Sequence, residues 1–256
     1  MLNKIVGAKR VEVEQLKERT SLACVQEVAS EMVPARDFKT ALNSRKCAII
    51  AEIKRRSPSK GFLREDLNSV TIAELYERNG AAAISVLTDK EFFGGHLNDL
   101  SAVSRSATIP VLRKDFIIDP YQIYEARAAG ADAILLIVGV LEDRQLAEYI
   151  ELAKSLGMYA LVEIHSLQEL RKAVFAGAEI VGINNRDLKT FKTDLNISLD
   201  LVACIPEDCL VVSESGIHSR KDIEVLMDAG IHVFLIGEAL MTAPDAGMKL
   251  KELIGP

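Results

Sequence analysis

Glu52 and Lys54 stand two residues apart at the end of the mostly apolar run 47–53, so on an extended strand their side chains leave the same face. An acid and a base on one face of a buried strand are costly, and they persist either as a structural ion pair or because they do chemistry. Ser57-Pro58-Ser59 then turns the chain into a loop. Further polar groups end later apolar runs: Arg113-Lys114-Asp115, Glu163, Asn184-Asn185 and Ser213-Glu214-Ser215-Gly216. Lysines and glutamates dominate this set, with no Ser-His nucleophile pair and no metal-ligand cluster among them. That composition points to proton transfer at a carbon or carbonyl centre. The four histidines, His96, His165, His218 and His232, form no i,i+4 pair and no HExxH motif, and are read as structural or surface groups.

These residues must be positioned by strands. After a polar helical zone covering residues 1–45, with Val6, Val13 and Leu16 on one side and Pro34 closing it, short β-rich runs alternate with amphipathic segments. The runs fall at 48–53, 82–87, 110–113, 133–138, 159–164, 180–183, 210–213 and 233–236. Several helical segments end in a stop glycine, and the junction helix, Gly, strand recurs at Gly80, Gly130, Gly177 and Gly230. Eight βα units with that repeat predict an α/β protein, a (β/α)8 TIM barrel with an N-terminal helical extension. A doubly wound open sheet is the competing architecture, but no G-x-G-x-x-G turn follows the first strand. The expected organisation is one barrel domain over 1–256, with 1–45 packed on it.

In such a barrel the polar groups at the strand ends share one mouth. Ser215-Gly216-Ile217 and Gly237-Glu238 follow the seventh and eighth runs, where this fold holds phosphate, and glycine would let backbone amides approach an anion. Phe92 and Phe93 follow the second run and Phe116 the third, beside Leu112, so an aromatic wall is expected at the same rim.

Composition narrows the class. With 49% hydrophobic and 27% charged residues the chain is neither disordered nor fibrous. A net charge of −6 argues against general affinity for nucleic acid or anionic membrane, and no stretch has the length of a membrane span. The first ten residues lack the apolar core of a signal peptide, so the expected location is cytoplasmic. Cys24, Cys47, Cys204 and Cys209 make no CxxC pair and read as buried free thiols.

The phrases Ala51-Glu-Ile-Lys-Arg-Arg-Ser-Pro-Ser-Lys-Gly61, Phe92-Phe-Gly-Gly95, Leu112-Arg-Lys-Asp-Phe116, Leu161-Val-Glu-Ile-His165, Gly182-Ile-Asn-Asn-Arg-Asp-Leu188 and Ser213-Glu-Ser-Gly-Ile217, together and in order, resemble those of indole-3-glycerol-phosphate synthase. The likeness extends over essentially the whole chain, including Lys4-Ile-Val and Lys9-Arg10. It implies decarboxylative ring closure of a carboxyphenylamino deoxyribulose phosphate in tryptophan biosynthesis, with no cofactor and no metal. By that resemblance Lys114 would be the general acid, Lys54 would hold the anthranilate carboxylate and donate a later proton, and Glu163 would be the base. Glu52, Asn184 and Glu214 would orient these groups and the sugar hydroxyls. Ser215, Gly216, Gly237 and the amide of Glu238 would bind phosphate, and Ser57, Phe93, Leu112, Phe116, Leu135, Arg186 and Leu188 would contact the rest of the substrate.

The two lysines are expected to depress each other's pKa, readying Lys114 to donate. The implied partner is a small phosphorylated molecule, with association to other tryptophan-pathway enzymes as a further expectation. Two alternatives stay open: an isomerase of the phosphoribosylanthranilate type on a similar barrel, and a barrel that binds the metabolite without turnover.

Overall fold

Runs rich in Ala, Val, Ile and Leu become eight parallel strands in the computed structural model, which describes residues 1–58, 61–64, 67–187 and 192–255. They are β1 (Ala48–Ile53), β2 (Ala83–Leu87), β3 (Val111–Lys114), β4 (Ala133–Ile137), β5 (Tyr159–Ile164), β6 (Ile180–Asn184), β7 (Leu210–Glu214) and β8 (Val233–Ile236). Each pairs with its neighbour in sequence, and β8 closes on β1 through the register Ala48↔Val233 to Ala51↔Ile236. The result is a closed (β/α)8 barrel, and its strands lie within a residue or so of the expected runs. A two-residue antiparallel hairpin, Arg56–Ser57 with Gly61–Phe62, stands outside the barrel after β1 and had no signal in the periodicity.

Strand alternation sorts the core into two parts. Ala48, Ile50, Leu112, Leu135, Leu161, Val212 and Leu235 fill the barrel interior, while Ile49, Ala51 and Ile53 face the surrounding helices. The same alternation sends Glu52, Lys114, Glu163, Asn184 and Glu214 inward at the top of that column. It sends the side chains of Arg113 and Asp115 outward, so their charges pair outside the barrel instead of joining the mouth as the sequence grouping suggested, although Asp115 still borders the cavity. Arg113 instead bonds Thr88, the Gln122 carbonyl and Asp115 outside the barrel. The stop glycines end their helices with left-handed backbone, φ 97° at Gly80 and 89° at Gly130, as only glycine does without strain.

Three helices precede β1: α1 (Leu2–Arg19), α2 (Leu22–Glu31) and α3 (Phe38–Asn43). Helix α3 is the barrel's floor, because Phe38 and Leu42 are wholly buried in the interior column, each at about 1.5–3 kcal/mol of burial. Helices α1 and α2 pack on the helix Pro120–Ala128, with Lys17 paired to Asp119 at 2.8 Å. The buried face of α1 is Ile5, Lys9 and Val13, so Val6 and Leu16 are displaced to its flanks. Apolar periodicity missed this because a lysine lies on the buried stripe. Lys9 is 1% exposed, and its ammonium reaches Asp115 at 2.9 Å, Asp89 at 3.1 Å and Glu12 at 2.7 Å. Among the described residues no helix is long and apolar enough to cross a membrane.

Breaking a buried ion pair by removing one partner leaves the other charge uncompensated. Lys9→Met should therefore lower the unfolding free energy by about 3–5 kcal/mol in a urea titration. A loss below about 1 kcal/mol would mean that Asp89 and Asp115 find other partners.

Candidate active site

Lys114, the last residue of β3, brings its ammonium among three carboxylates from three other strands. Its Nζ lies 3.0 Å from Glu214 Oε2, 3.6 Å from Glu52 Oε2 and 3.9 Å from Glu163 Oε2. Glu52 also accepts from Lys54 Nζ at 2.5 Å, so one carboxylate bridges the two lysines. The sequence pairing of Glu52 with Lys54 is thus one side of a five-membered cluster of charges.

Burial and charge compete at each group. Burial works against the charged form of Lys114, yet Glu214, Glu52 and Glu163 outweigh it and raise its pKa above the ordinary lysine value. This reverses the expected depression, because Glu52 stands between the two ammonium groups. Burial also pushes Glu52 up, but Lys54 and Lys114 hold it below the usual carboxylate range. At Glu214 burial prevails over the attraction of Lys114, with Glu163 and Glu52 adding repulsion, and its carboxyl is pushed up to about 7. Its Oε1 is buried without a hydrogen-bond partner, consistent with a carboxyl poised to hold a proton.

Two glycines make room for these buried acids. A Cβ at Gly182 on β6 would collide with the Glu214 carboxyl, and one at Gly237 after β8 would collide with that of Glu52. Gly237 therefore has a reason beyond the anion site for which the sequence singled it out, and Gly182 was missed. Its only trace in sequence is a glycine inside an otherwise β-branched strand.

The turn after β7 carries backbone strain. Ser215 has φ 67° and Gly216 φ 79°, two consecutive left-handed residues, and a side chain at Gly216 would also run into Thr193. Buried Asn185 holds this turn, donating to the Ser215 carbonyl at 3.1 Å and to Ser213 Oγ at 2.9 Å while its Oδ1 accepts from Ser198. Asn185 was legible as a polar residue at a strand end, but its support role was not. Gly237 N-caps the short helix Glu238–Met241, and the Glu238 carboxylate turns to Arg186, Oε2 to Nη2 at 3.2 Å.

One open cavity gathers nearly all of the expected site. Glu52, Lys54, Ser57, Phe93, Lys114, Phe116, Leu135, Glu163, Asn184, Arg186, Ser215, Gly216, Gly237 and Glu238 all line it. Glu214 and Leu112 lie beneath: the first supports Lys114 and the second is wholly buried in the interior column one layer down. Leu188 lies outside the described residues. Phe93 and Phe116 form an aromatic wall, ring centroids 6.1 Å apart at 35°. Phe93 belongs to the short helix Lys90–Phe93, which Asp89 caps by accepting from the Phe92 and Phe93 amides. Leu2 and Ile5 of α1 line the same cavity, Ile5 from the Lys4-Ile-Val phrase, whose place at the mouth the sequence did not show.

The sequence matches the family model "Indole-3-glycerol phosphate synthase" over residues 2–253. Its relatives include the indole-3-glycerol phosphate synthases of Carboxydothermus hydrogenoformans, 49% identical over 99% of both chains, and Roseiflexus castenholzii, 48% identical over 100% of this chain and 98% of that one. The corresponding protein of Chloroherpeton thalassium is 50% identical over 94% of this chain and 95% of its own. Among solved structures, 3-hexulose-6-phosphate synthase aligns with a TM-score of 0.63 at 18% identity, covering 81% of this chain and 98% of that one. Thiamine phosphate pyrophosphorylase from Pyrococcus furiosus gives 0.60 at 19%, covering 82% and 94%. At those identities the two structures are alike in fold alone.

Glu214 generates a pH signature. Its pKa is raised from 4.5 in the unfolded chain to about 7 on folding, so between those values the folded state keeps a proton that the unfolded chain has released. Its contribution to stability is full below pH 4.5 and is lost as pH rises through 7. Urea unfolding across this window should show a flatter profile for Glu214→Gln than for the natural chain. Parallel profiles would contradict the raised pKa.

Proposed function

The chain belongs to the indole-3-glycerol phosphate synthase family, carboxy-lyases of tryptophan biosynthesis that close 1-(2-carboxyphenylamino)-1-deoxy-D-ribulose 5-phosphate to indole-3-glycerol phosphate, carbon dioxide and water, and we propose how its own residues carry that reaction. The observation that supports the assignment best is the Lys114 ammonium, among Glu214, Glu52 and Glu163 at the floor of an open cavity.

The ring carbon that bears the carboxylate attacks the ribulose carbonyl, whose oxygen gains charge as the new bond forms. Lys114 donates its proton there. Its raised pKa keeps the group charged until that oxygen becomes basic enough to take the proton. Carbon dioxide then leaves and its bonding electrons return to the ring. Loss of the hydroxyl as water needs a proton for the leaving oxygen, from Lys54, and a base for the proton on the neighbouring carbon, Glu163. Lys54 first holds the carboxylate, and Glu52 and Asn184 orient the lysine and the sugar hydroxyls. Glu214 fixes Lys114 from below. Side chains supply acid and base and the carbonyl accepts the electrons, so the scheme invokes no cofactor or metal.

The phosphate is assigned to the amides of the Ser215-Gly216 turn and of Gly237-Glu238, with the Glu238 side chain held off by Arg186. The aromatic ring is assigned to Phe93, Phe116 and Leu135, with Ser57 at the rim and Leu112 acting from the layer beneath. Residues 1–256 are read as one barrel domain with 1–45 as its extension, supported by the α3 floor and the Lys9 pairing. Of the thiols expected to be buried only Cys47 is, while Cys24 and Cys204 are exposed; a cytoplasmic location fits such free thiols, and association with other tryptophan-pathway enzymes belongs to the same reading.

Lys114→Ala should lower turnover at least about a hundredfold, the scale of general acid catalysis, while substrate still binds. Appearance of indole fluorescence on adding substrate is the readout, and turnover within a few-fold of the natural chain would remove Lys114 from the role. Inorganic phosphate at roughly tens of millimolar, the scale of weak anion binding, should compete with substrate. Purely noncompetitive behaviour would place the phosphate elsewhere.

A further inference from the structure

His165 lies just past β5, two residues after Glu163, and leaves the strand on the same side. It has no histidine partner at helical spacing, and the proposed chemistry leaves it unused. Its ring nevertheless sits between two carboxylates. Nε2 is 3.6 Å from Glu163 Oε1, and Nδ1 is 3.5 Å from Glu169 Oε2. The same Glu169 oxygen accepts the backbone amide of His165 at 2.6 Å. Glu169 is itself fixed, because its amide donates to Oγ of Ser166, the N-cap of the helix Leu167–Phe175. The ring is therefore anchored from the Nδ1 side by a rigid helix start.

Nε2 is buried and makes no hydrogen bond. A buried ring nitrogen left so is costly unless it serves a charged neighbour, and the neighbour it faces is Glu163. The two oxygens of Glu163 are divided between two cationic sides: Oε2 faces Lys114 at 3.9 Å and Oε1 faces His165.

We propose that His165 is a positioning residue for Glu163: anchored by Glu169, it presents Nε2 to the carboxylate oxygen that Lys114 does not face and holds that carboxylate in the orientation a base requires. The proposal rests on the reading of Glu163 as the base. Burial lowers the His165 pKa, but Glu169 on the following helix, Glu163 on its own strand and Glu214 on β7 together raise it above 6.5. Lys114 from β3 stands behind Glu163 and Lys172 beyond Glu169, so the ring's immediate surroundings are acidic. The protonated ring adds a third cation to the cluster of Glu52, Glu163, Glu214, Lys54 and Lys114.

Two separate readouts test this. First, the titration midpoint of the His165 ring, followed by proton NMR, should lie above 6.5 in the natural chain and fall in both Glu163→Gln and Glu169→Gln. These variants keep the ring, so the measurement does not depend on a histidine substitution that folds. Second, His165→Gln should lower kcat roughly tenfold with KM within about threefold, and should lose the alkaline ionisation in the kcat profile that coincides with the NMR midpoint. Glu163→Gln should lose at least about a hundredfold as a missing base, and adding His165→Gln to it should cost nothing more. A midpoint indifferent to Glu163→Gln, or unchanged kcat in His165→Gln, overturns the positioning role. Near-normal turnover in Glu163→Gln instead overturns Glu163 as the base, and leaves the NMR coupling to decide the pairing by itself.

Discussion

The barrel mouth depends on one ammonium group held among three carboxylates. Placed alone in a closed barrel, Glu52, Glu163 or Glu214 would each bear a desolvation cost of several kcal/mol, and together they would repel one another. Lys114 offsets that cost for all three, and Lys54 adds a second cation on the outer side of Glu52. At Glu214, 1% exposed, burial outweighs even the closest of the Lys114 contacts, and its carboxyl is pushed up to about 7. The cluster thus changes its net charge near neutral pH as Glu214 titrates. That property suits a site whose substrate arrives carrying both a carboxylate and a phosphate.

The positions of these charges follow from the alternation of one strand. On β3 and just beyond it, Lys114 points into the mouth and Asp115 points out of the barrel, where it meets Lys9 of α1. Adjacent residues therefore join the carboxylate cluster and the N-terminal helix. Asp89 performs a similar double duty, receiving Lys9 and capping the helix that carries Phe93 into the cavity wall. Docking of α1 and the shape of the aromatic wall are consequently joined through two aspartates and one lysine. The early helices are part of how the mouth is built, since α3 closes the floor and α1 supplies Leu2 and Ile5 to the rim.

The eight strands were legible because each is a short β-rich run, several of them preceded by a stop glycine, and the mouth was legible because parallel strands deliver their C-terminal ends to one face. What remained hidden depends on pairings across long sequence separations. Lys9 sits on a polar helix with nothing local to mark it as buried. Gly182 is needed only because Glu214 approaches it from the next strand. Arg113 was grouped with Lys114 by adjacency, although alternation sends the two to opposite sides. The lysine pKa was misjudged for the same reason, because proximity of two cations was visible and the carboxylates interposed from other strands were not. His165 was set aside as a lone histidine, yet the Ser166-x-x-Glu169 capping pattern beside it was a local signal that an acid would reach back to that point.

The strained turn at Ser215-Gly216 and the aromatic wall at Phe93 and Phe116 stand on opposite sides of the barrel in strand order, the first after β7 and the second after β2 and β3. On the proposed assignment of phosphate to the turn and ring to the wall, a flexible sugar phosphate bearing an aromatic ring is held at both ends with its middle over the ammonium. Holding the ends removes the rotational freedom that separates ring carbon from carbonyl, and well-oriented intramolecular reactions gain about 7–11 kcal/mol from such restriction. The binding groups themselves need make no contact with a changing bond. A barrel is suited to this division of labour, because its strands fix the distance between remote anchors while the loops and turns that follow them choose what each anchor holds. The left-handed backbone of Ser215 is tolerated on the same account: Asn185 pins the turn from beneath with two hydrogen bonds, so the anchor is rigid before any ligand arrives.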